Sequence, residues 1–117
     1  MAARYQSMAM ITTMLAIAAP ASAFAGPISK WDTRAPDYRY VSSAKMFDVE
    51  RCLIDTEGWP ASMVYRQPDR PDIVTIIYVE PDGKTRARID LVKKDDGLHV
   101  TAWAGPKAVR ECAPEKS

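Results

Sequence analysis

The stretch that decides the fold is IVTIIYVEPDGKTRARIDLVKKDDGLHVTAWA, residues 73–104. Ile73 to Glu80 is rich in β-branched residues, which favour strands. Pro81-Asp82-Gly83 is a turn: proline presets its first corner, and glycine takes the positive φ of a bulged three-residue hairpin loop. Thr85 to Lys93 is the returning strand. Asp96-Gly97 signals a two-residue hairpin, and Leu98 to Ala104 is the last strand. A loop that pairs Glu80 with Lys84 also pairs Ile77 with Ala87, Thr75 with Ile89 and Ile73 with Leu91. A two-residue loop at Asp96-Gly97 pairs Leu91 with Ala102 and Ile89 with Ala104. Both hairpins then place Ile73, Ile77, Val79, Ala87, Ile89, Leu91, Val100 and Ala102 on one face, which must be covered.

Working outward, the cover is the amphipathic segment upstream. Ser42 or Ser43 can accept a bond from an unpaired backbone N–H and so begin a helix. Met46, Val49 and Leu53 form one helical stripe with Cys52 beside it, and Phe47 and Ile54 widen that stripe. Gly58 supplies a left-handed cap and Pro60 prevents the helix from resuming. Trp59 then folds back on Leu53 or Ile54, a helix-stop contact in preference to a ligand platform. Ser62 to Gln67 is a short candidate strand. Gln67 to Asp72 is a loop, because Pro68 and Pro71 exclude helix and central strand alike. Tyr38 to Val41 is a candidate fifth strand at the end of an N-terminal arm, residues 26–41. Gly105-Pro106 opens a short helical tail that delivers Cys112.

The expected class is therefore α+β: one amphipathic helix on an antiparallel meander of four strands, or five with Tyr38 to Val41, in a domain spanning residues 42–117. The order strand, helix, four strands is similar to the cystatin-like layout. That resemblance is one of shape. The Gln-x-Val-x-Gly inhibitory loop of cystatins is absent, so their protease-inhibitor activity is not implied.

Residues 1–25 have the order of a secretory signal peptide. Arg4 is their single charge. Met8 to Ala19 is apolar apart from Thr12 and Thr13, and stops well short of the roughly 20 residues that span a bilayer. Pro20 breaks the run, and cleavage after Ala23 or Ala25 fits the small-x-small rule. Removing Arg4 from 16 basic residues leaves 15, against 15 acidic ones, so the processed chain is neutral. Neutrality gives no support to nucleic-acid binding or to a polybasic membrane surface. Cys52 and Cys112 are the two cysteines. In an exported chain they are expected to pair. A redox-active pair would instead call for Cys-x-x-Cys, which is missing. The expected location is periplasmic or extracellular, with no membrane span after processing.

No catalytic constellation stands out. His99 is the one histidine, and on a strand's solvent face it reads as a surface residue. Its alternative role is general base with Asp90 or Asp95 in a small hydrolytic or ligand-binding domain. Zinc wants more Cys and His than the chain holds, and no phosphate cradle or haem-attachment motif is present, so neither metal nor cofactor is expected. The more informative feature is the outer sheet face. The registers put Val74, Ile76 and Tyr78 there beside Arg86, Arg88 and Asp90, with Val92, His99, Thr101 and Trp103 across the same strand. Aromatic residues with arginine are enriched at protein interfaces. Three readings compete: the arm, with Trp31, Tyr38 and Tyr40, folds over this face; another envelope or extracellular protein, or a second copy in a homodimer, binds it; or it is an ordinary, partly apolar surface. The leading expectation is a non-catalytic protein-binding module acting through Ile76, Tyr78, Arg86, Arg88 and Trp103. A self-associating envelope protein is the other alternative.

Overall fold

The computed structural model describes residues 26–117. The expected signal peptide, with its expected cleavage after Ala23 or Ala25, lies outside the described residues. A 3-10 turn (Ser29–Trp31) precedes β1 (Tyr38–Ser42), α1 (Met46–Ile54), β2 (Ala61–Tyr65), β3 (Ile73–Val79), β4 (Thr85–Lys94), β5 (Gly97–Trp103) and α2 (Ala108–Cys112). The five strands form one antiparallel sheet in the order β1-β5-β4-β3-β2. The α+β expectation holds, and the candidate fifth strand is β1.

The first hairpin corrects the predicted register. Its turn forms as expected: Glu80 N–H donates to Lys84 O at 2.8 Å, and Gly83 takes φ 85°. One step further on, Val79 opposes Thr85 while Tyr78 opposes Ala87, so Arg86 is an extra residue in β4. A bulge of this kind shifts all later pairs by one, and a one-residue shift exchanges the faces of the partner strand. Val74, Ile76 and Tyr78 therefore join Ala87, Ile89 and Leu91 in the core. Ile73, Ile77 and Val79, expected inside, lie on the opposite face. The second hairpin turns at Asp95-Asp96, with Lys94 opposite Gly97. That differs by two residues from the predicted pairing, so Val100 and Ala102 still face inward. Gly97 is required here, because a Cβ at its position would lie 2.8 Å from the backbone O of Ser42.

Met46, Val49 and Leu53 of α1 pack on this core as their spacing predicts. Two details of the helix differ from expectation. It starts at Met46 after Lys45 with no side-chain cap; Ser42 sits in β1 and its Oγ accepts from Ala44 N–H at 3.1 Å. Phe47 and Ile54 are exposed, and Glu50 is buried in their stead, paired with Arg66. Trp59 packs edge-on against Tyr78, ring centroids 5.2 Å apart, beside the core that holds Leu53.

Cys52 and Cys112 form the expected disulfide, which ties α1 to α2. Two buried tyrosines bind the same helices to the sheet. The Tyr78 hydroxyl donates to Leu53 O at 2.8 Å, and the Tyr40 hydroxyl donates to Ala113 O at 2.6 Å and lies 3.2 Å from Val109 O. Burial, reinforced by the neighbouring Tyr38 phenol and opposed by Arg110, pushes the Tyr40 phenol up to about 12.

The stabilising contribution of Tyr40 is therefore present below 10.0, the pKa of the unfolded phenol, and is lost as pH rises from there through about 12. Tyr40→Phe should abolish that alkaline loss. At neutral pH it should cost about 1–2 kcal/mol in urea unfolding, because the Ala113 carbonyl at the end of α2 loses its donor.

Candidate functional site

The expected binding face is not assembled as a unit. Ile76 and Tyr78 are in the core, for the register reason above. Arg86, the bulged residue, lies over the Trp59 ring at 4.3 Å and 3.7 Å from Glu80. Arg88 and Trp103 do share the outer face, directly opposite each other on β4 and β5. Both are covered by the N-terminal arm. Arg88 donates to Ile28 O at 2.9 Å and to Asp32 at 2.6 Å, while its other nitrogens hold Asp90. Its guanidinium lies 4.8 Å from the Trp103 ring, and Trp103 Nε1 donates to Arg34 O at 2.8 Å. Lys30 reaches Thr85 O at 2.8 Å. Trp31 is buried with Lys30 and Arg34 over its ring, although its own indole N–H meets no acceptor. Burial disfavours the charged form of Arg88, but the bonds to Asp90 and Asp32 outweigh it and hold the pKa above its ordinary value. Of the three readings of this face, the arm folding over it is the one observed at Arg88 and Trp103, through Ile28, Asp32 and Arg34; Tyr38 and Tyr40, expected in that cover, pack instead on the core side of the sheet.

His99 does not meet Asp90 or Asp95. Its Nε2 lies 2.6 Å from Asp96 Oδ1 beside the β4–β5 turn, and that bond holds the exposed Asp96 carboxyl below its ordinary value. Two sizeable cavities open elsewhere, and His99 lines neither. One, of about 480 Å³, lies beside the disulfide under Trp59, Asp55 and Glu111. The other, of about 580 Å³, lies between the start of α1 and the β4–β5 turn, with Lys45, Lys93 and Lys94 at its walls and Met46 and Leu98 beneath. Among the described residues no group of three or more His, Cys, Asp or Glu is placed to hold a metal ion.

What the arm leaves open is an edge. The sheet ends on one side at β1, and this side is closed by the chain itself. Lys116 N–H donates to Val41 O at 2.7 Å, Glu115 bridges to Ser42, and Arg110 of α2 lies over the Tyr38 and Tyr40 rings. The sheet ends on the other side at β2, which pairs with β3 alone. Among the described residues no backbone hydrogen bond reaches its free side. The exposed large hydrophobic side chains gather around it: Met63 (59%), Val64 (39%) and Tyr65 (52%) on β2, Ile73 (42%) at the start of β3, and Phe47 (68%) and Ile54 (55%) on α1. Helix α1 is tied to this side by the Glu50–Arg66 ion pair, and the Arg66 guanidinium lies 5.0 Å from the Phe47 ring. Natural sheets guard such edges with lysine, proline, bulges or a covering segment. Ala61-Ser-Met-Val-Tyr65 has no charge and no proline, and that absence was the one sequence signal for this site.

No protein-family model, curated protein or solved structure matches this chain.

Replacing Arg88 with alanine should release the arm. Trypsin should then cut at Lys30 and Arg34 at least about tenfold faster, because arm opening no longer breaks the Asp32 and Ile28 bonds. Global stability should fall by about 1–3 kcal/mol, mainly because the partly buried Asp90 loses its charged partner and keeps only the Thr75 hydroxyl as a donor. The exposed Asp32 partner adds little to that figure.

Proposed function

We propose that this protein is a small exported, non-catalytic binding module that takes a strand from another polypeptide at the free edge of β2. The observation that carries the reading is the uncharged, unpaired strand Ala61–Tyr65 with exposed apolar side chains on both of its faces. An unpaired edge offers a row of N–H and C=O groups that an extended segment can satisfy, while alternate side chains supply affinity on either face. Export is supported by the signal-peptide pattern of residues 1–25 and by a closed disulfide, which persists in oxidising compartments. No described helix is long and apolar enough to cross a membrane. The site moves from the outer face to the edge, because the arm already satisfies Arg88 and Trp103.

The reading predicts where contact occurs. A photo-crosslinking side chain placed at Val64 should give a covalent protein adduct in cells that make the protein. The same group at Lys84, on the exposed β3–β4 turn, should give none. Equal labelling from both positions, or none from either, would set the edge aside as a site.

A further inference from the structure

The edge reading leaves open whose strand is added, and the inference that follows rests on it. We propose that the occupant of the β2 edge is a second copy of this chain, joined by antiparallel β2–β2 pairing about a two-fold axis at Met63.

The first argument is self-complementarity. Pairing the strand with itself about Met63 sets Ala61 opposite Tyr65 and Ser62 opposite Val64, so each large side chain on β2 other than Met63 meets a small one. Residues directly opposite in an antiparallel pair share a face. The Val64 side chains and both α1 helices, with Phe47 and Ile54, therefore fall on one side of the joined sheet, and Met63 and Tyr65 on the other. A two-fold interface requires this kind of patch, one that fits its own image.

Charge is the second argument. A patch that selects a foreign partner usually carries unpaired charge to read its sign. Here β2 itself is uncharged, and the ion pairs at its two ends are closed within the chain: Glu50 with Arg66 at one end, Glu80 with Arg86 at the other. Two such strands meet without charge against charge, and the processed chain is neutral as a whole.

Area and closure supply the third. At roughly 100 Å² for a half-exposed large side chain, the six around the edge offer on the order of 600 Å². The backbone edge adds to this, approaching the ~800 Å² per partner of a stable interface. At the opposite edge of the sheet the chain's own tail pairs with the Val41–Ser42 end of β1. Pairing at β2 thus uses the sheet edge that, among the described residues, is wholly uncovered, and it stops at two copies, giving a continuous ten-stranded sheet instead of a growing ribbon.

The test is sedimentation equilibrium of the oxidised protein, purified as cells process it, from about 1 μM to 0.5 mM. The wild type should dimerise within this range. Val64→Lys and Met63→Lys, each at an exposed position and checked by circular dichroism, should weaken the dimer at least about hundredfold. Met63→Cys should form an intermolecular disulfide under mild oxidation, because the axis brings the two copies of that residue together, whereas Lys84→Cys should not. A wild type that stays monomeric throughout, or a dimer that survives both lysine variants, would overturn the proposal. The two readings fail separately: a Val64 cross-link to a protein of another mass, with a monomeric wild type, keeps the edge as a binding site and removes the second copy.

Discussion

One extra residue, Arg86, governs the arrangement of the whole molecule. Because β4 carries it as a bulge beside Val79, β3 presents Val74, Ile76 and Tyr78 to the helix. Without it the same strand would present Ile73, Ile77 and Val79. The consequences spread from there. Tyr78, turned inward, reaches Leu53 O and holds the end of α1. Trp59 closes on the Tyr78 ring, and Arg86 itself lies over Trp59. The bulge thus sets the sheet register and helps fix the turn that leads from α1 into β2.

The second constraint is the division of labour between the two ends of the chain. The N-terminal arm covers the Arg88–Trp103 end of the outer face with ion pairs and backbone acceptors. The C-terminal tail closes β1, secured by Tyr40 and by the Cys52–Cys112 disulfide. In the chain-entropy model a bridge across about 60 residues contributes roughly 4 kcal/mol by restricting the unfolded chain. That matters in a domain of this size, whose core alone is marginal. With the arm and the C-terminal tail both committed, β2 is, among the described residues, the strand left without a cover, and its apolar side chains remain at the surface.

Much of this was legible in the residues. The β-branched run of β3, the Pro-Asp-Gly turn and the spacing of Met46, Val49 and Leu53 specify the class and the pairing of elements. Separation from any Cys-x-x-Cys motif marked the two cysteines as structural. The register of β3 was not legible, because nothing in Thr85-Arg86-Ala87 distinguishes a regular strand from one with an inserted residue. Both faces of β3 are apolar, so hydrophobic alternation could not arbitrate. The expected binding face failed for that reason at Ile76 and Tyr78, and for a tertiary one at Arg88 and Trp103, whose partners lie more than fifty residues away in the arm. The edge was hidden differently: strand order, not strand existence, decides which strand is last in a sheet, and order is a long-range property.

The central claim is that β2 is an interface strand, and amide hydrogen exchange of Ala61–Tyr65 against protein concentration tests it most directly. The account predicts that the β2 amides pointing away from β3 exchange freely in dilute protein and become protected as concentration rises, while β1 amides do not change. Exchange at β2 that is independent of concentration, in the wild type and in Val64→Lys alike, would contradict self-pairing at this edge.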